Sequence, residues 1–227
     1  MSQTGVIGRR AFMAGLTTTL CAAAKPGSAE TFIASDGVRL HAHSFGRGQR
    51  AVILVPGAHG IGDTWEQQAR RLATAGFHVL ALDYRGLGRS QGPQDDAQTH
   101  LDVLSVIRTL KAQGAKQIAL VGASWGGRAA ALAAIAAPDL VDRLVLLAHS
   151  PIDNPERLSC PKLFIAGKDD RDGSGRLRLD SIRDQFRRAP EPKRLVVLDG
   201  AAHAQFLFLT RSGERLYSEI AGFLLAR

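Results

Sequence analysis

The 227-residue sequence is short of several features that would place it in a familiar class. Its two cysteines, Cys21 and Cys160, are too few for a disulfide framework or a cysteine-based zinc centre. No run of 18 or more apolar residues occurs, so no conventional membrane-spanning helix is expected in the mature chain. There is no internal repeat and no low-complexity linker, and the composition is neither collagen-like nor disorder-like. Acidic residues are missing from the first 29 positions. What is present, 45% apolar and 22% charged residues, is the balance of one globular domain with a sizeable core.

The acid-free N-terminus has an order of its own. A polar head containing Arg9-Arg10 precedes an apolar stretch from Ala11 to Ala24, followed by Lys25-Pro26-Gly27-Ser28-Ala29. This is the layout of a secretory signal peptide. The segment Gly8-Arg9-Arg10-Ala11-Phe12-Met13 resembles the twin-arginine export signature. That resemblance implies the twin-arginine machinery as a partner and translocation in a folded state. Cleavage after Ala29 places the small residues Gly27 and Ala29 at the recognition positions and leaves one domain over 30–227; cleavage after Ala24 is the other reading. Thr18-Thr19-Leu20-Cys21 lacks the small residue that precedes a lipidated cysteine, so no stable membrane anchor is expected. The expected location is periplasmic or secreted.

Removing residues 1–29 takes Arg9, Arg10 and Lys25 from a net charge of +8, and takes Cys21 as well. Cys160 is then alone, and no intrachain disulfide can form even in an oxidising compartment. The remaining positive charge does not indicate a nucleic-acid partner. The basic stretch from Arg171 to Arg194 is interrupted by Asp180, Asp184 and Glu191 at helical spacing and reads as a solvated helix, and no nucleic-acid motif accompanies it.

Beyond Glu30, short runs rich in Val, Ile and Leu alternate with longer segments of helical periodicity. The runs are Arg39–Phe45, Ala51–Val55, His78–Asp83, Gln117–Gly122, Arg143–Ala148, Lys162–Ala166 and Arg194–Leu198. Ala51-Val52-Ile53-Leu54-Val55 is apolar without alternation, as in a strand covered on both faces. In the last segment Leu216, Ile220, Phe223 and Leu224 repeat on one helical face behind Ser212, a candidate N-cap. The pattern predicts one α/β domain, a mostly parallel, doubly wound sheet flanked by helices, opened by an antiparallel hairpin around Asp36-Gly37.

In such sheets reactive groups gather beyond the carboxyl ends of the strands. The run Gln117–Gly122 leads directly into Gly122-Ala123-Ser124-Trp125-Gly126-Gly127 and then an alanine-rich helix reaching about Ala137. This is the strand–turn–helix setting of a Gly-x-Ser-x-Gly nucleophile elbow, where Ser124 is the nucleophile and glycines keep neighbouring backbone clear of a Cβ. A serine hydroxyl needs a general base, and the base needs an acid to orient it. Gly167-Lys168-Asp169-Asp170 follows one strand and Gly200-Ala201-Ala202-His203 follows the last.

Serine, then aspartate, then histidine is the chain order of the α/β-hydrolase superfamily, which the chain resembles from about Thr31 to its end. In the family pattern Gly-x-x-Asp the acid is the second aspartate, which implies Asp170, with Asp169 as the alternative. The resemblance implies an oxyanion hole made by two backbone N–H groups. One belongs to Trp125; the other belongs to Ala58 in Pro56-Gly57-Ala58-His59-Gly60, where Pro56-Gly57 replaces the usual His-Gly. His59 either contacts substrate or packs the loop. Leu82-Asp83-Tyr84-Arg85-Gly86-Leu87-Gly88-Arg89-Ser90 resembles a family segment in which Asp83 and Arg85 are read as structural.

Epoxide hydrolases and haloalkane dehalogenases of this fold carry aspartate at the elbow, and dienelactone hydrolases carry cysteine, so Ser124 implies acyl transfer. Only a dozen residues, His149 to Cys160, lie where lidded relatives insert a helical cap, so no cap domain is expected and the crevice should be open. His149, Ile152, Leu158 and Trp125 are its candidate walls.

The expected function is that of a cofactor-free serine hydrolase acting on small or exposed carboxylic esters through an acyl-enzyme. Peptidase, thioesterase, cofactor-free peroxidase and a non-catalytic binding protein are the alternatives. His41 and His43 alternate on one strand, but the sequence identifies no further ligand beside them, and no metal site is expected. Cys160 reads as a small buried filler.

Overall fold

The apolar runs become strands within one or two residues of their expected limits. The computed structural model describes residue 1 and residues 27–226. The strands are β1 (Ser28–Ile33), β2 (Arg39–Phe45), β3 (Arg50–Val55), β4 (His78–Leu82), β5 (Gln117–Ala123), β6 (Arg143–Leu147), β7 (Lys162–Gly167) and β8 (Lys193–Leu198). They form one sheet in the order β1-β2-β4-β3-β5-β6-β7-β8. β1 and β2 pair antiparallel, β2 joins β4 antiparallel, and every later pairing is parallel.

Among the described residues five α-helices cover the faces: α1 (Glu66–Thr74), α2 (Thr99–Ala112), α3 (Trp125–Ala136), α4 (Arg178–Arg188) and α5 (Gly213–Leu225). Successive side chains of a strand point to opposite faces, and the core divides accordingly. Ile53 and Val55 pack with residues of α2, α3 and α4, including Val106, Ile107, Ala130 and Ile182. Val52 and Leu54 pack with residues of α1 and α5, including Leu72, Leu216 and Ile220. All four of these β3 side chains are fully buried, the physical reason the run shows no polar alternation.

The chain winds to one side of β3 to make β4 and then crosses to the other side to make β5. The loop after β3 and the loop after β5 therefore diverge around a crevice at the carboxyl edge of the sheet. Between β6 and β7 the chain carries a single 3-10 turn, Pro155–Arg157, and no inserted cap.

The middle of the basic stretch forms α4, which buries Leu179, Ile182 and Gln185 and pairs two of its arginines, Arg187 with Asp184 at 2.8 Å and Arg188 with Glu156 at 3.0 Å; Lys193 and Arg194 fall in β8. Arg85 is buried against Asp102 at 2.6 Å and Asp36 at 2.7 Å, in keeping with a structural role. Cys160 is buried, and burial pushes its thiol pKa up.

Ser212 does precede α5, but its side chain makes no cap bond; its hydroxyl instead approaches the Asp199 carbonyl at 3.4 Å. The twin-arginine segment and the apolar stretch expected of a signal peptide lie outside the described residues. Ser28 and Ala29 open β1, pairing with Ser44 and His43, so this strand begins two residues before Glu30. Among the described residues no helix is long and apolar enough to cross a membrane.

Candidate active site

The turn after β5 places Ser124 at φ 51°, a left-handed conformation that costs a non-glycine residue about 1–3 kcal/mol. The surroundings hold it there. Its N–H donates to the Leu147 carbonyl at 2.9 Å, and its carbonyl accepts from Gly127 and Ser150 at 3.0 and 2.9 Å. A Cβ on Gly122 would collide with the Gly126 carbonyl, and one on Gly126 would collide with the carbonyls of Pro56 and Val55. The two motif glycines therefore let α3 start directly against β5 and the loop after β3.

His203, in the loop after β8, reaches across to this turn. Its Nε2 lies 2.8 Å from Ser124 Oγ and its Nδ1 lies 2.7 Å from Asp170 Oδ2. An ionised carboxylate only accepts, so Nδ1–H donates to Asp170 and Nε2 is left as the acceptor for the serine O–H. Asp170 is 1% exposed, whereas Asp169 points to solvent; of the two aspartates, Asp170 is the partner. Arg178 Nε lies 3.6 Å from the other Asp170 oxygen, and the Arg178 N–H donates to the Asp170 carbonyl at 2.9 Å. The start of α4 thus fixes the aspartate and supplies an opposite charge.

Trp125 is the first residue of α3, where backbone N–H groups have no acceptor within the helix and the helix dipole favours negative charge. Facing it is the loop after β3. A Cβ on Gly57 would sit 3.4 Å from Ser124 Cβ, which shows how closely this loop approaches the serine. Tyr84 donates its hydroxyl to the Pro56 carbonyl at 2.5 Å and the Gly60 N–H donates to the Gly57 carbonyl at 3.0 Å, so the Pro-Gly variant of the loop has its own anchors. Ala58 and His59 are both exposed on it. They line a cleft of about 740 Å³.

The other wall of that cleft escaped the sequence reading. It is a 3-10 segment, Ala204–Leu209, immediately after His203, which exposes Phe206 (67%) and Leu209 (78%) while burying Ala204 and Leu207. Gln205 of this segment donates to Thr64 Oγ1 at 2.9 Å, joining the two walls. The dense apolar run directly after the histidine was the available signal.

Three expected wall residues lie elsewhere. Ile152 and Leu158 are buried in the core, because the Ile152 N–H donates to Gln185 Oε1 at 2.7 Å and draws the segment beneath α4. His149 is also buried. Its Nε2 faces Gln185 Oε1 at 3.3 Å, its ring meets Phe164 edge-on, and burial lowers its pKa to about 4. It borders a separate hollow of about 580 Å³ with Arg171, Arg176 and Arg178. Trp125 remains half-exposed, with the Arg128 guanidinium 5.8 Å from its ring.

The sequence matches the alpha/beta hydrolase fold family over residues 50–177, and the chain belongs to that family. It is 35% identical over 118 residues to the human serine hydrolase BPHL, covering 50% of this chain and 40% of that protein. It is 36% identical over 118 residues to an epoxide hydrolase of Caballeronia sordidicola, covering 50% of this chain and 35% of that one. The alignments thus span less than half the length of these curated relatives.

Among solved structures, the fold is similar to the esterase Pf2001 of Pyrococcus furiosus, with a TM-score of 0.74 at 17% identity, covering 87% of this chain and 91% of that one. It is also similar to the α/β hydrolase GrgF of Penicillium sp. sh18, with a TM-score of 0.76 at 20% identity, covering 88% and 98%. At these identities the likeness concerns the fold.

Proposed function

We propose that this hydrolase cleaves carboxylic esters, with Ser124 as nucleophile, His203 as general base and acid, and Asp170 as the residue that orients His203. The observation that carries the reading is the single imidazole bridging a serine hydroxyl at 2.8 Å and a buried carboxylate at 2.7 Å. Ser124 attacks the ester carbonyl as its proton passes to His203 Nε2. The tetrahedral oxyanion is held by the N–H groups of Trp125 and Ala58. Collapse returns the proton to the departing alcohol and leaves an acyl group on Ser124. Water, deprotonated by the same imidazole, then releases the acid.

The relatives include both serine and epoxide hydrolases. Ser124 at the elbow favours acyl chemistry, since the epoxide-opening members of this fold use an aspartate there. The cleft supports esters with an apolar limb, because it runs from Ala58 to Phe206, Phe208 and Leu209. No described cap encloses it, which suits short substrates or exposed bonds. The N-terminal layout supports export through the twin-arginine machinery to the periplasm or medium.

Two measurements test the assignment. A fluorophosphonate probe should label the wild type and not Ser124→Ala; an unlabelled wild type would point to a binding protein. Nitrophenyl esters of graded acyl length, beside a thioester and a peptide amide, should show ester turnover dominant, and faster turnover of either competitor would reassign the substrate.

A further inference from the structure

Away from Ser124, the fold brings together residues that the sequence leaves apart. His41 and His43 share one face of β2, and Asp83 follows β4, the antiparallel neighbour of β2. Each offers one ligand atom within 4.8 Å of the others. Sequence spacing identified no companion for the two histidines; strand pairing supplies it. Asp63, on the 3-10 turn Gly62–Trp65, adjoins the group through His43 alone, with Oδ1 3.0 Å from His43 Nε2.

We propose that His41, His43 and Asp83, with Asp63 as the fourth ligand, bind one divalent ion of the zinc type. Two imidazoles and carboxylate oxygens suit Zn²⁺ or Co²⁺, whereas Ca²⁺ and Mg²⁺ call for oxygen ligands throughout. Ligand atoms around a tetrahedral zinc stand ~3.4 Å apart, given bonds of ~2.1 Å, so the wider separations in the group, up to 4.8 Å, must close towards that spacing on binding.

The surroundings are those of a built site. Asp83 and His41 are buried, and Asp83 is oriented by the N–H groups of Gly62 at 2.7 Å and Arg89 at 2.9 Å. Ser90 braces the same corner, donating to the Asp83 carbonyl at 2.7 Å and accepting the His41 N–H at 2.8 Å. Backing of this kind holds metal-binding side chains in register.

His41 Nδ1 rests 3.1 Å from Asp83 Oδ2, while its buried Nε2 has no hydrogen-bond partner among the described residues. The two imidazoles meet edge to face, with ring centroids 4.6 Å apart. The side chains of His43 and Asp63 are 18% and 58% exposed and provide the way in from solvent. Asp63 and Thr64 also line the 740 Å³ cleft, so a bound ion would stiffen that wall without touching Ser124.

The test uses the tag-free full chain, stripped of metal and titrated with Co²⁺ and then Zn²⁺. One equivalent of Co²⁺ should give the visible absorption of a tetrahedral centre, Zn²⁺ should displace it, and Zn²⁺ should raise Tm. Because Asp83 and His41 variants could fail to fold, the decisive variants are the outer ligands. His43→Gln and Asp63→Asn, checked for folding by circular dichroism, should each weaken binding at least about 10-fold. Absence of the Co²⁺ absorption in the wild type, or unchanged affinity in folded His43→Gln, would overturn the proposal. So would binding that survives in His43→Gln and disappears in His203→Ala.

Discussion

Two histidine–aspartate pairs stand on the same sheet, and they differ in the third group each can reach. His203 and Asp170 are 2.7 Å apart, the histidine side chain is 31% exposed, and its free nitrogen faces a serine hydroxyl. His41 and Asp83 are 3.1 Å apart, both are buried, and the free nitrogen of His41 faces no partner among the described residues. The pairing itself is thus not the catalytic signature. What separates the two is solvent access together with a serine hydroxyl held by a strained turn. The first pair lies where the loops diverge, and the second is sealed beneath the turn that begins at Gly62.

The sharpest way to break this contrast is to remove the third group. Ser124→Ala is expected to lower kcat on an activated ester by about 10⁶-fold, read by steady-state kinetics, with Tm little changed because alanine keeps the Cβ at φ 51° and the turn stays as strained as before. Asp170→Asn comes next. An amide can donate to Nδ1, which moves the ring proton to Nε2, so His203 no longer accepts from Ser124. A fall in kcat of about 10⁴-fold is expected.

The corresponding change at the other pair should act on stability. Asp83→Ala strips acceptors from His41 and from the amides of Gly62 and Arg89. It should cost about 3 kcal/mol, a fall in Tm of roughly 10 °C by calorimetry, while kcat stays within about tenfold.

A third histidine sharpens the comparison further, because His149 is buried with no carboxylate beside it. Its folded pKa, about 4, lies below the ordinary 6.5, so the unfolded chain binds the proton more tightly. The contribution of His149 to stability is therefore whole above pH 6.5 and is lost as pH falls towards 4, by on the order of 3 kcal/mol. Denaturant melts of His149→Gln should show a flatter acid limb than the wild type; an equal slope would place the acid sensitivity elsewhere.

The framework of this fold was legible because parallel strands buried on both faces leave unbroken apolar runs, as Ala51–Val55 does. The positions of Ser124 and His203 were legible because the first follows β5 directly and the second lies in the short loop after β8. The choice between Asp169 and Asp170 needed the fold, since adjacent residues in a turn point in different directions and only one reaches the imidazole. Ile152 and Leu158 were misplaced for a related reason. An apolar residue in a short connection suits a pocket wall and a core equally well, and only the hydrogen bond from Ile152 to α4 decides. The cleft walls at Thr64 and Phe206 lie far apart in sequence and meet through Gln205, a contact that no local pattern announces. The Asp83–His43 neighbourhood was hidden in the same way, by an antiparallel register.

The first two rungs of the β1–β2 ladder, at Ser28 and Ala29, would give the proposed removal of an export signal a mechanical meaning. A peptidase cutting after Ala29 would shorten this outermost strand by a third and free the backbone groups of Ser44 and His43 at the border of the sheet. One cutting after Ala24 would leave the ladder whole. The mass of the chain recovered from its host would therefore report how firmly that border is sewn.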